Sequence, residues 1–198
     1  MSKILTTQMT GLLQRISSSE EFAIEDTARL LAQAAIGEGS VYFVCFDELQ
    51  AVEMNALYGA DPFYKLAKYT DDTVLTDADR VIIFTRSASN PAALAFAQKC
   101  YDDFIPFAAV ASEVASDDNV LSDLAYTYVS LKMRGGILPH PTKLGERIVF
   151  PHLMAALFIY EAIKMEYDEM IGEKDGLEDE DSANSGDGSG GVPPSPFA

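Results

Sequence analysis

Hydrophobic residues follow two rhythms along the chain. Ile4, Leu5, Met9, Leu12, Leu13 and Ile16 recur every three to four positions, which predicts an amphipathic helix reaching about Ser17. Ser18-Ser19-Glu20-Glu21 interrupts it. Ser18 with Glu21 has the spacing of a capping box, and a second helix follows through Phe22, Ala28, Leu31 and Ala35 to Gly37-Glu38-Gly39. The pattern then changes to short runs without a polar break: residues 40–46 (SVYFVCF), 81–84 (VIIF) and 105–111 (IPFAAVA), with 126–131 as one further strand and 62–69 as another. Such runs suit strands covered on both faces. Between them, Asp47-Glu48-Leu49-Gln50 opens a helix to about Tyr58, with Asp47 as N-cap and Glu48 as a first-turn charge. Another helix begins at Pro91, and the apolar residues 153–163 form the last. Strands alternating with helices predict an α/β fold with a mainly parallel sheet, whose ligands bind at the carboxyl ends of the strands.

After Met170 the pattern fails. The sequence GLEDEDSANSGDGSGGVPPSPFA is acidic, rich in Gly, Ser and Pro, and nearly devoid of core formers, so the chain divides into a domain over 1–171 and a disordered tail over 172–198. Net charge is −17, and residues 173–198 hold seven acids against one lysine. That balance argues against nucleic acid as a partner. With no 18-residue apolar run and no signal-peptide pattern at the start, the expected location is the cytoplasm, away from membranes. Cys45 and Cys100 lack CxxC spacing and read as buried thiols, so neither a metal site nor a cofactor is implied.

The most informative stretch is Thr85-Arg86-Ser87-Ala88-Ser89-Asn90-Pro91, which joins a buried strand to a helix through small hydroxyl residues. Pro91 suits a first helical position, Asn90 or Ser89 can cap, and the free N–H groups of the helix start favour an anion such as phosphate. Residues 132–150 carry Arg134, His140, Lys143 and Arg147 among Gly and Pro residues, a basic loop able to close over such an anion. In the loop 46–48, Asp47 and Glu48 would repel phosphate but suit sugar hydroxyls. Asp77 and Asp79 lie just before the 81–84 strand.

TRSASNP resembles the S-T-S-G-N-S-P loop of sugar isomerase (SIS) domains. Thr85, Ser87, Asn90 and Pro91 fall at equivalent places, whereas Ala88 stands for the usual glycine, Ser89 where Asn is common, and Asn90 for a phosphate-binding Ser. Together with FDELQAVEMNALYGADPF and the strand order, residues 1–171 resemble a small group of uncharacterised Firmicutes SIS-like proteins, the DUF2529 type, some of them labelled phosphoheptose isomerases. The resemblance implies a three-layer α/β/α sandwich preceded by N-terminal helices, association into a homodimer or homotetramer, and binding of a phosphorylated sugar. Thr85, Ser87, Ser89 and Asn90 are then the phosphate contacts, with Asp47 and Arg134 as further substrate contacts. Isomerases of this type use a His near the start of the final helix, which points to His152 as catalytic. Their Glu before Leu-x-Gly is Ala56 here, leaving Glu53, one turn earlier, or Glu48 as the carboxylate. Two expectations stand side by side: a phosphosugar aldose–ketose isomerase, or a catalytically inactive regulatory or scaffolding module of the same fold.

Overall fold

The computed structural model describes residues 2–184, with side chains over residues 3–172. Two helices, α1 (Ser2–Ser19) and α2 (Glu21–Ile36), lead into β1 (Val41–Cys45). A short 3₁₀ turn, Asp47–Leu49, continues as α3 (Gln50–Tyr58), followed by β2 (Leu66–Ala67), β3 (Arg80–Phe84), α4 (Pro91–Asp102) and β4 (Phe107–Ala111). Then come α5 (Val120–Leu124), β5 (Thr127–Ser130), β6 (Leu138–Pro139), β7 (Arg147–Ile148) and α6 (His152–Asn184). The main sheet is wholly parallel in the order β2-β1-β3-β4-β5.

Residues alternate between the two faces of the sheet and bury two cores. Val41, Phe43, Ile82, Phe84, Ala108, Val110 and Val129 pack with α1, α2, α3 and α6. Val81, Ile83, Phe107, Ala109 and Ala111 pack with α4 and α5, where Ala93, Ala97 and Cys100 let the helix approach closely. The result is the expected three-layer α/β/α sandwich. Among the described residues no helix is long and apolar enough to cross a membrane.

Several local expectations are corrected. The break between α1 and α2 is the single residue Glu20, and no capping box forms, because the Ser18 and Ser19 hydroxyls donate back to the Arg15 carbonyl. Glu20 is instead buried: its carboxylate accepts from the Ser130 N–H (2.8 Å) and pairs with Lys132 (2.5 Å), fastening the helical corner to the end of β5. Phe22 is 80% exposed, since the inward face of α2 is set by Ile24, Thr27, Ala28 and Leu31. Asp47 is no N-cap. It sits in the left-handed region (φ +53°), and Phe46 occupies the cap position without a side-chain bond. Residues 62–69 contribute only the two-residue β2, because Lys65 (φ +55°) turns the chain just before it.

The basic stretch 132–150 contains the antiparallel hairpin β6–β7. Gly136 permits it: a Cβ there would lie 2.6 Å from the Ile148 carbonyl oxygen. The final helix continues to Asn184, beyond residue 172 where the sequence pattern weakens, and residues 185–198 of the expected tail lie outside the described ones.

Candidate functional site

Register places the carboxyl ends of β1, β3 and β4 side by side, with Cys45 opposite Phe84 and Phe84 opposite Val110. The order of strands reverses between β1 and β3, so the loops leaving them diverge and open a crevice there. Arg86 spans it, donating from Nε and Nη2 to the two Glu48 carboxylate oxygens (2.9 and 2.5 Å). This hydrogen bond holds the Glu48 carboxyl below the usual carboxylate range. Behind the crevice a cavity of about 1280 Å³ extends under α1 and the β6–β7 hairpin, lined among others by Glu48, Ser87, Glu113, Arg134 and His152.

The loop after β3 folds as its sequence suggests. Asn90 caps α4, its Oδ1 accepting from the N–H groups of Ala92 (3.0 Å) and Ala93 (3.3 Å), with Pro91 in the first turn. The buried Thr85 hydroxyl donates to the Ser87 carbonyl (3.2 Å) and shapes the turn. The Ser87 hydroxyl donates to Oε1 of Glu113, and the Ala88 N–H to its Oε2, both at 2.7 Å. Glu113 lies just past the end of β4, after Ser112, and the Tyr128 hydroxyl donates to its carbonyl (2.8 Å). A carboxylate of the chain itself thus fills the hydroxyl-rich loop.

Most of the positive charge of the cavity comes from other segments of the chain. Arg15 of α1, Arg86, Lys132, Arg134 and Arg147 all line it, five of the fourteen Lys and Arg residues in a chain of net charge −17. Lys132 is paired with Glu20 and Arg86 with Glu48, while Arg147 donates to the carbonyls of Gly136 (2.5 Å) and Ile137 (3.0 Å). Carbonyls leave its charge uncompensated.

Of the sequence-derived candidates, the fold gathers Glu48, Ser87, Arg134 and His152 around the cavity. Thr85, Ser89 and Asn90 belong to the adjoining loop, and Asp47 reaches Asn90 Nδ2 at 3.5 Å. Glu53 lies elsewhere, beside Cys45, where burial raises its carboxyl above the usual range against the pull of Lys68. Ala56 is fully buried in the core under α3. His152 is 7% exposed at the start of α6; burial lowers its pKa below the ordinary 6.5, opposed by Glu48 and reinforced by Arg86. Sequence reasoning passed over Arg15, Lys132 and Glu113. Glu113 and Lys132 were open to detection by position, since each lies just past the carboxyl end of a sheet strand.

The α/β/α sandwich around a 2-1-3-4-5 parallel sheet is a doubly-wound fold that the chain shares with solved sugar isomerase (SIS) domain structures. Within that class the chain belongs to the family described as domain of unknown function DUF2529, whose profile matches residues 1–171. It is 33% identical over 174 residues to the uncharacterized protein YwjG of Bacillus subtilis strain 168, covering 87% of this chain and 99% of that protein. Among solved structures, the Vibrio vulnificus NanR protein complexed with ManNAc-6P superposes with a TM-score of 0.62 at 12% identity, over 92% of this chain and 67% of that one. Phosphoheptose isomerase GmhA from Neisseria gonorrhoeae gives a TM-score of 0.60 at 12% identity, over 85% and 96%. At such identities the likeness concerns the fold.

Proposed function

We propose that the protein binds a phosphorylated sugar in the cavity at the β1/β3 switch point. One observation carries this reading: an acidic chain directs five cations and few carboxylates into a single cavity at the carboxyl ends of its strands. The solved structures of like fold, one in complex with ManNAc-6P, support the ligand class. A cavity of about 1280 Å³ leaves room for a hexose or heptose phosphate with its hydration.

Binding rather than isomerisation is the reading the geometry favours. Neither Glu53 nor the Ala56 position faces the cavity, so α3 supplies no carboxylate for proton transfer. Thermal-shift measurements against ManNAc-6P, fructose 6-phosphate and sedoheptulose 7-phosphate, with the corresponding free sugars beside them, test the proposal. A phosphorylated member should raise the melting temperature and its free sugar should not; no shift with any phosphate would refute binding. Interconversion of sedoheptulose 7-phosphate by the purified protein would instead establish the isomerase reading, with His152 and Glu48 as the pair within reach of the ligand.

A further inference from the structure

We infer that the phosphate of the ligand rests on Arg15 and Arg134 rather than on the hydroxyl-rich loop, and that its sugar hydroxyls face Glu113 beside Ser87. The inference rests on the sugar-phosphate reading and assigns the two ends of that ligand.

The reasoning is an accounting of donors. In the loop after β3, Ala88 N–H donates to Glu113, Ser89 N–H to the Ser87 hydroxyl, and Asn90 N–H to the Ser87 carbonyl. Ala92 and Ala93 N–H groups donate to the Asn90 side chain, and Leu94 N–H to the Asn90 carbonyl. The Ser87 hydroxyl proton is given to Glu113, and the Ser89 hydroxyl lies 2.9 Å from that of Ser87. A phosphate binding to these donors would have to displace bonds already made and then sit against the Glu113 carboxylate, where like charges repel.

The arginines that line the cavity from outside this loop have the reverse character. Arg15 and Arg134 are exposed to the cavity and neither makes an ion pair with a described carboxylate, while Arg147 faces only carbonyls. Guanidinium groups match phosphate oxygens in geometry and charge. Glu113 lines the cavity and, with one bond accepted at each oxygen from Ser87 and Ala88, retains acceptor capacity for hydroxyl groups. The cavity therefore offers groups complementary to both ends of a sugar phosphate.

Calorimetric titration of the full chain with inorganic phosphate and with sedoheptulose 7-phosphate tests the orientation, using Arg15→Ala, Arg134→Ala, Ser87→Ala and Glu113→Gln variants whose folding is verified by their unfolding transitions. Arg15→Ala and Arg134→Ala should each weaken both ligands about tenfold, the loss expected for a charge-assisted contact. Ser87→Ala should leave inorganic phosphate within about twofold, and Glu113→Gln should weaken the sugar phosphate more than inorganic phosphate. Unchanged affinity in both arginine variants, or stronger phosphate binding in Glu113→Gln together with loss in Ser87→Ala, would overturn the orientation while leaving sugar-phosphate binding intact. Failure of the unaltered chain to bind either ligand at millimolar concentration would refute both.

Discussion

At the scale of single residues, the side chains with the most telling chemistry are those whose partners come from distant sequence. Asp79 was legible as a pre-strand aspartate, but its role is structural: it accepts from Ser40 N–H, Thr76 N–H and the Thr76 hydroxyl, each at 2.8 Å. Glu113 was legible only as a residue past the end of a strand, because nothing near it in the chain reveals that its carboxylate returns to a loop 25 residues earlier. His152 was found from its place before the last apolar run, and its burial has a consequence that can be measured. The folded state favours the neutral imidazole, so its pKa lies below the ordinary 6.5 and the unfolded chain takes up the proton first. This group's contribution to stability is present above pH 6.5 and is lost as pH falls through the folded-state value. Urea denaturation at a series of pH values should show His152→Gln losing less stability than the parent protein between neutral and mildly acidic pH. Equal losses would mean that His152 is as well solvated in the fold as out of it.

Elements with a strong periodic signal were recovered closely. The strand-loop-helix unit 80–102 needed only local information: β-branched residues for β3, an Asn cap, a Pro in the first turn and an alanine-rich inward face. Replacing Asn90 by Ala should cost about 1 kcal/mol, within the range of about 0.5–2 for such caps, as read from urea unfolding. No change would mean that Ala92 and Ala93 N–H groups find water equally well. Elements whose existence depends on tertiary contacts were harder to read. β2 is two residues long and is defined by pairing with Val41 and Tyr42, and the hairpin β6–β7 by the close approach of Gly136 to Ile148. Asp47 misled for a related reason: acid-rich starts of helices usually cap, yet here the chain must turn sharply out of β1, and the aspartate takes the left-handed conformation instead.

For the whole molecule, the fold class followed from alternation of elements, whereas the cavity required the third dimension. Its cations come from α1, from the ends of β3 and β5 and from β7, segments more than 130 residues apart in the chain. Composition alone made the protein look hostile to anions, with acids outnumbering bases 31 to 14. Spatial sorting reverses that impression locally, and short-range contacts to arginine outweigh a distant field screened by salt within roughly 8–10 Å. The central claim is that this sorted cavity receives a phosphorylated sugar, and a crystal soaked with the sugar phosphate giving the largest thermal shift tests it most directly. Density for the ligand should fill the space between Glu113 and Arg134, under α1 and beside His152. A ligand bound elsewhere on the molecule, with this cavity holding only water, would contradict the account.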